Sequence, residues 1–540
     1  MKPRHPVFIL ACLFAGPLMG QEPEGTLPLT ERERAVHALS RLAYGPAPGD
    51  LERVLEIGVE EWIERQLSPQ ADAALEDRLA GFPSIRLSLV DLMDQYQAVL
   101  EEGISAEERR WLQRYENQPR SELLQSLLVR AVHSSNQLEE VLGDFWRNHF
   151  NVSYTKGGPS KFLLTDWERE VIRAHTLGKF GAFLAATAKH AAMLHYLDNA
   201  SSRRPPTKQE LAEIERKVRR RTGSRERGEE AAQLALQRGL NENYARELLE
   251  LHTLGVDNYY KQKDVIAVAE ALTGWSYNGG RNGDWAFLFR NDMHAQGDKR
   301  ILGRRVKGDR DSGLAEGEQV IEMLAGHKGT AQFIATKLVR YLVNDEPPEG
   351  LVDLAAKAFQ KSDGDIPTVV RAIVGSDEFW ARENYRAKFK TPYEFMISAL
   401  RATGAELQES EPLLRSMIEM GQGVYLCDDP TGWYDTAEAW LDPGVMALRW
   451  QFALDLAEGR VAGVSIPPEY WDDVPDSLPP RLWQHHLTQK ILPGGAGPRT
   501  RAALSTVTDD YLAKTRVPDI SRLGPQLVGL LLGSPEFQQQ

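Results

Sequence analysis

Apolar residues recur at intervals of three and four through most of this chain, and that period constrains its fold more than any other feature. From Thr30 the run TERERAVHALSRL supplies an N-cap threonine, Glu33 three residues on, and apolar Ala35, Val36, Leu39 and Leu42. Tyr44-Gly45-Pro46 then stops the helix. The same period predicts helices over 48–67, with Gly58 as an internal break, and near 121–148, 163–197, 210–237, 241–255, 262–273, 317–343, 351–361 and 367–375. Alternating runs are scarce. Residues 285–289 followed by 299–306, broken by Gly303, predict at most one small β-hairpin. The expected fold is therefore mainly α, a multi-helix globular array. Ile373–Phe379 echoes Leu531–Phe537, and both read as a helix stopped by glycine and restarted from a serine cap.

Composition narrows the class. With 42% hydrophobic residues the chain is too apolar for a disordered protein, and two cysteines in 540 residues exclude a disulfide scaffold. A net charge of −13 argues against nucleic acid as the main partner. No 18-residue apolar run follows the N-terminus, so an integral membrane protein is not expected. The N-terminus itself has Lys2 and Arg4, an apolar run over 6–20, and polar residues after it, which is the pattern of a signal peptide cut near Gly20–Gln21. The sequence Ile9-Leu10-Ala11-Cys12 falls too early in that run for a lipid-anchoring box. Loss of Lys2 and Arg4 takes the 64 basic residues to 62 against 77 acidic ones, a net of −15. Loss of Cys12 leaves Cys427 alone, so the exported chain would fold without an internal disulfide. The expected location is periplasm, cell surface or medium.

Five segments follow from these shifts in composition: a signal peptide over 1–20, a helical part over 21–200, an insertion over 201–240, a second helical part over 241–460, and a Pro/Gly-rich join with a helical tail over 461–540. The insertion carries eleven arginines and lysines against six glutamates. Arg219-Arg220-Arg221 suggests polyanion binding, while the interleaved glutamates favour a solvated, partly helical excursion.

Phosphate-cradling loops, H-E-x-x-H, zinc-type cysteine pairs and G-x-S-x-G are all absent, so no metal site is expected and no cofactor is indicated. Four polar-aromatic segments stand out instead. In DFWRNHFNV, residues 144–152, helical spacing puts Asp144, Arg147, Asn148 and Asn151 on one face and His149 among aromatics. His149 is either a general base in an interior pocket or a hydrogen-bonded core histidine. In NENYARELLELHTLG, residues 241–255, Asn243, Arg246, Glu247 and Glu250 form a polar stripe between an Asn241 cap and Gly255. Glu247 and His252 stand about 140° apart on an ideal helix, so they do not chelate one metal. The loop 287–303 gathers Asp292, His294, Asp298 and Lys299. Residues 421–440 have little period, and Trp433, Tyr434 and Trp440 suit a packed Ω-loop or a ligand-stacking one.

Taken in order, these segments resemble the DUF1800 family of bacterial proteins. The matching text is ALSRLAYGPAPGDLERV at 38–54, FWRNHF at 145–150, AAMLHYLDNASS at 191–202, NENYARELLELHTLG at 241–255, DVIAVAEALTGW at 264–275, NDMHAQGDKRILG, KTPYEF from Lys390, and MGQGVY with PTGWYDTAEAW; it spans roughly 30–459. The resemblance implies an exported, largely helical protein of unknown activity. It also implies a DUF1501-type exported protein, itself similar to sulfatases and alkaline phosphatases, as a candidate partner. His149, Asn243, Arg246, Glu247, His294 and Lys299 carry over as candidate site positions. Two departures stand out: His190-Ala191 replaces a common Asp-Pro, and Ala295 follows His294 where aspartate is common. The second weakens acid/base or metal chemistry in that loop.

Two functions are compatible with this reading. The first is an envelope protein that binds a polymer or an exported partner, with Asn243, Arg246, Lys299 and Trp433 as binding residues. The alternative is an extracytoplasmic hydrolase with His149, Glu247 and His294 as catalytic groups, Arg246 and Lys299 binding an anion. Export has a direct consequence: intact mass and N-terminal sequencing of the chain from its native host should place the mature N-terminus within a few residues of Gln21.

Overall fold

The computed structural model describes residues 27–97, 105–237, 239–256, 258–280, 283–308, 312–472, 474 and 478–540; the expected signal peptide over 1–20 lies outside them. Of the described residues, 63% are helical. Its described residues form 25 α-helices and three two-stranded antiparallel sheets, so the fold is mainly α. None of those helices is long and apolar enough to cross a membrane. The chain divides into two compact units, one drawn from 27–63, 377–421 and 436–540, the other from 64–376 and 422–435.

In the first unit the Glu31–Arg41 helix starts as its sequence predicts. Thr30 N donates to Glu33 Oε2 at 2.8 Å, and Glu33 N donates to Thr30 Oγ1 at 3.3 Å. The interior element is Pro392–Ala402, every residue of which is buried. It begins with proline at N1 and a second capping box, Thr391–Glu394, so the chain enters this dry helix with its first donors satisfied. The Ile520–Leu532 helix lies close to Pro443–Ala457, and a Cβ on Gly529 would come within 2.8 Å of Leu454. Glycine is needed there by contact, not by backbone angle.

The second unit departs from ideal periodicity in informative ways. The stretch 163–197 is not one helix. Ser160–Asp166 passes into a π-helix over Trp167–Arg173, and Phe180–Lys189 and Ala191–Tyr196 follow as separate helices. The insertion folds as an antiparallel pair of helices, Lys208–Thr222 and Arg225–Gln237, turned at Gly223 (φ 70°). A Cβ on Gly228 would lie 2.8 Å from the Glu215 carbonyl, so the two helices touch backbone to backbone at that point.

The strands differ from expectation. Phe287–Phe289 pairs not with 299–306 but with Trp275–Tyr277, in the register Trp275↔Phe289. Lys299–Ile301 pairs with Arg304–Val306 across a two-residue turn in which Leu302 and Gly303 both have positive φ, 50° and 79°. That is the type I′ geometry matched to strand twist, so Gly303 makes the hairpin instead of breaking it. A third pair joins Glu406–Leu407 to Val464–Ser465. In the repeated Gly-Ser motifs the serine also closes the helix before it, while Ser534 Oγ in addition accepts from Phe537 N at 3.3 Å, as a restarting cap does. Ser376 and Ser534 each donate their hydroxyl backwards, to Ile373 O and Leu531 O at 2.7 Å, and so close the preceding helix.

At the middle of the second unit an ion pair is buried. Arg147 Nη1 meets Glu168 Oε1 at 3.0 Å, with 6% and 4% of the two side chains exposed. Gly143, one turn earlier, leaves room: a Cβ there would sit 3.3 Å from Arg147 Nη1. Removing one partner strands the other charge away from water, which costs about 3–5 kcal/mol. Arg147→Met should therefore lower the unfolding free energy by about that much in urea titrations. The double variant with Glu168→Gln should recover part of the loss.

Candidate functional site

The Gln137–His149 helix ends in two faces with different fates. Its polar face is taken up by the segment 422–435, whose backbone it holds. Asn148 Nδ2 donates to Trp433 O at 2.9 Å, and Trp433 N donates to Asn148 Oδ1 at 2.6 Å. Asn151 Nδ2 donates to Cys427 O and Asp429 O at 3.0 and 2.7 Å. Tyr425 Oη donates to Glu168 Oε2 at 2.6 Å, and Trp433 Nε1 to Gly423 O at 3.2 Å. A segment without helical or strand period is thus fixed by side chains that replace a ladder.

The other face carries His149, which is 2% exposed. Its ring lies against Phe150 at 4.5 Å, Trp146 at 5.5 Å and Phe145 at 6.1 Å between centroids. Nε2 donates to His252 O at 3.3 Å, because a carbonyl only accepts. Nδ1 has no partner. Burial holds the imidazole well below the usual histidine range, and Lys337 and His252 push it the same way. His252 is equally enclosed, and burial lowers it to about 3.

The Asn241–Gly255 segment starts with Asn241 Oδ1 accepting from Asn243 N at 2.9 Å and ends at Gly255 with φ 79°. Between them the helix Asn243–Leu249 widens into a π-turn over Glu250–Leu254, which changes the spacing that an ideal helix assigns to His252. Asn243 is exposed. Arg246 donates to Gln262 Oε1 at 2.8 Å and pairs with Glu242 at 3.5 Å. Glu247 is half-buried, and its carboxyl is raised by burial, then by Glu250 and Asp429, against the pull of Arg246. The Tyr196 hydroxyl nearby donates to Asp428 O at 2.9 Å, and burial raises its pKa, with Glu247 and Asp429 contributing.

His294 and Lys299 do meet, through a residue that the sequence reading left out. His294 Nε2 lies 3.3 Å from Glu316 Oε2, and the Lys299 ammonium pairs with the same carboxylate. His294 Nδ1 donates to Thr273 O at 2.9 Å. All three side chains are buried. Gly313 makes the closure possible, since a Cβ there would fall 2.2 Å from the His294 ring. Lys299 Nζ also donates to the carbonyls of Gly297 and Ala295, so the cluster ties its loop to the Leu314–Ala325 helix.

The candidate residues thus occupy three surroundings: His149 with His252, Glu247 with Asp429 and Tyr196, and His294 with Lys299 and Glu316. Among the described residues no hydrogen bond or ion pair joins His149, Glu247 and His294 to one another, and no group of three His, Cys, Asp or Glu side chains is arranged to hold a metal ion. Trp433, half-buried, sits in the strip held by Asn148. His190, at the Asp-Pro departure, does an N-cap's work: its Nδ1 accepts from Ala192 N at 3.1 Å while Nε2 faces Asp166 Oδ2 at 3.1 Å. Glu168, Glu316, Tyr196 and Asp429 escaped the sequence reading. The first two lie in helices without a motif, and only their partners give them meaning.

A family model described as "Protein of unknown function (DUF1800)" matches residues 37–539. No curated protein and no solved structure matches the chain.

The two enclosed histidines set a pH dependence. Their folded-state pKa lies below the unfolded value of 6.5, so between about 6.5 and 3 the unfolded chain binds more protons. Their contribution is complete above pH 6.5 and is lost as pH falls. At 1.36 kcal/mol per unit, His252 alone accounts for roughly 2 kcal/mol between pH 7 and 5, and His149 adds in the same direction. Urea titrations at the two pH values should show the loss, and His252→Leu should reduce it by about 2 kcal/mol.

Proposed function

The chain belongs to the DUF1800 family, and from that premise we propose that it is an extracytoplasmic binding protein that holds an anionic polymer of the bacterial envelope. The observation that carries this reading is the face of the Lys208–Thr222 helix. Glu213, Arg216, Lys217, Arg220 and Arg221 recur at i, i+3, i+4, i+7 and i+8, all five are exposed, and together they line one groove of about 580 Å³. The opposite face, with Leu211, Ile214 and Val218, is half-buried.

The charge on this face is left available. Two acids of the insertion have close partners elsewhere, in Arg204–Glu210 at 2.6 Å and Arg225–Glu229 at 2.7 Å. Among the described residues no ion pair engages Arg216, Lys217, Arg220 or Arg221. Four cations within two turns, on a protein of net charge −13, form a local positive field that attracts a repeating anion and leaves the rest of the surface to repel it. Phosphate or carboxylate groups spaced along a chain fit this row. The DUF1501-type exported protein implied by the family is the protein partner we propose beside it.

A hydrolase built on His149 is less well supported. A general base must reach its substrate, and this imidazole is enclosed by aromatic rings. A catalytic reading would have to rest on Glu247, whose raised carboxyl is the one feature in its favour.

Polymer binding is tested with long-chain polyphosphate as probe. Neutralising about four charges predicts a salt slope near −3, so affinity should fall about 50-fold between 50 and 200 mM salt. Lys217→Glu/Arg220→Glu/Arg221→Glu should abolish binding, and Glu247→Gln should leave it unchanged. Undetectable binding by the wild type, or equal binding by the charge-reversed variant, would overturn the proposal.

A further inference from the structure

The unit drawn from 27–63, 377–421 and 436–540 holds a small, partly open cavity of about 30 Å³, lined by Ser40, Arg386, Lys390, Ser398, Glu536, Gln539 and apolar neighbours. At roughly 10–15 Å³ per water centre it takes about two waters, or one small ion. Its polar lining is poorly satisfied. Ser398 is 2% exposed, yet its hydroxyl has no hydrogen-bond partner. Lys390 is 5% exposed, with its ammonium 4.1 Å above the Phe537 ring. Arg386 is held in a left-handed backbone conformation, φ 57°, which is strained for a residue with a side chain.

A further cation lies next to the pocket without lining it. Behind Lys390, Arg449 is fully buried; its Nη1 donates to Lys390 O at 2.8 Å and Gln538 Oε1 at 2.9 Å, while Nε and Nη2 have no partner. The two nearby carboxylates already accept other donors. Glu394 accepts from Thr391 N at 2.7 Å and Gln540 Nε2 at 2.8 Å. Glu536 accepts from Gly497 N at 2.6 Å and Thr500 Oγ1 at 2.7 Å. Lys390 and Arg386 thus line the pocket beside the engaged Glu536 carboxylate and an unused hydroxyl. A buried charge is costly unless paired, and a buried hydroxyl unless bonded.

We infer that this cavity binds a small oxyanion of formate, acetate or bicarbonate size, with Lys390 and Arg386 supplying charge and the Ser398 hydroxyl donating a hydrogen bond. Such an anion would supply both missing terms at once. Burial, only partly offset by Glu394, brings Lys390 down to about 7, so an anion beside it would also hold the amine protonated. The site is separate from the basic helix of the insertion, and neither proposal depends on the other.

The test is calorimetric titration of the full chain at pH 7 with sodium formate, acetate and bicarbonate, each against sodium chloride at equal ionic strength. The expected result is saturable one-to-one binding of at least one of the three, weakened tenfold or more in Ser398→Ala. That variant removes only the unpartnered hydroxyl, so it should fold even where Lys390→Met does not. If all three anions behave as chloride does, or Ser398→Ala binds as tightly as the wild type, the inference is overturned.

Discussion

The second unit depends on a charge that water cannot reach. Arg147 and Glu168 pair at 3.0 Å in the interior, and Glu168 also accepts the Tyr425 hydroxyl at 2.6 Å. Burying such a pair gives little net stability over an apolar substitute, since desolvation cancels most of the attraction. Its effect is on uniqueness. Glu168 is the first-turn acid of a π-helix, Arg147 lies in the last turn of another helix, and Tyr425 is part of a strip that returns from far along the chain. Only one arrangement brings the three together with every charge paired. A slip of one residue in any of them leaves a buried ion alone, which is costly enough to remove that alternative from the ensemble.

The strip over 422–435 shows how the rest of the unit uses that fixed point. It has no ladder of its own, so its carbonyls and amides are satisfied by Asn148, Asn151, Ser153 and Tyr196. The first three sit on or just beyond the helix that carries Arg147, and Tyr196 ends the Ala191–Tyr196 helix. The packed loop, not an open stacking surface, follows from this hydrogen bonding: Trp433 donates through its indole to Gly423 O and is held at its backbone by Asn148.

What the sequence made legible was local. The Thr30–Glu33 cap, the two-faced helix over 144–149 and the Gly255 stop all follow from spacing within a few residues, whereas the single helix expected over 210–237 breaks into two at Gly223. Strand pairing failed because Trp275–Tyr277 sits at the end of a helical motif and shows no alternation, while its partner lies ten residues on. The π-turns were invisible, since one extra residue in a helix leaves no compositional mark. The site failed for a different reason. His294 and Lys299 are conspicuous in sequence, but their shared partner Glu316 is one glutamate among many. Ionic partners are decided by tertiary placement, and a one-dimensional pattern carries the charge without its neighbour.

The one cysteine among the described residues shows the same economy of placement. Cys427 lies in the strip, buried, with its sulfur 3.6 Å from Asp429 O. Burial raises its pKa, and the charges of Asp429 and Asp428 act in the same direction, so the thiolate fraction is small. Thiolate, not thiol, is the species that attacks disulfides and oxidants. Burial first, and then the acidic turn that follows Cys427, held through Asn151 to the polar face of the Arg147 helix, disfavour that thiolate. The fold therefore disfavours the reactive form of the one cysteine among its described residues.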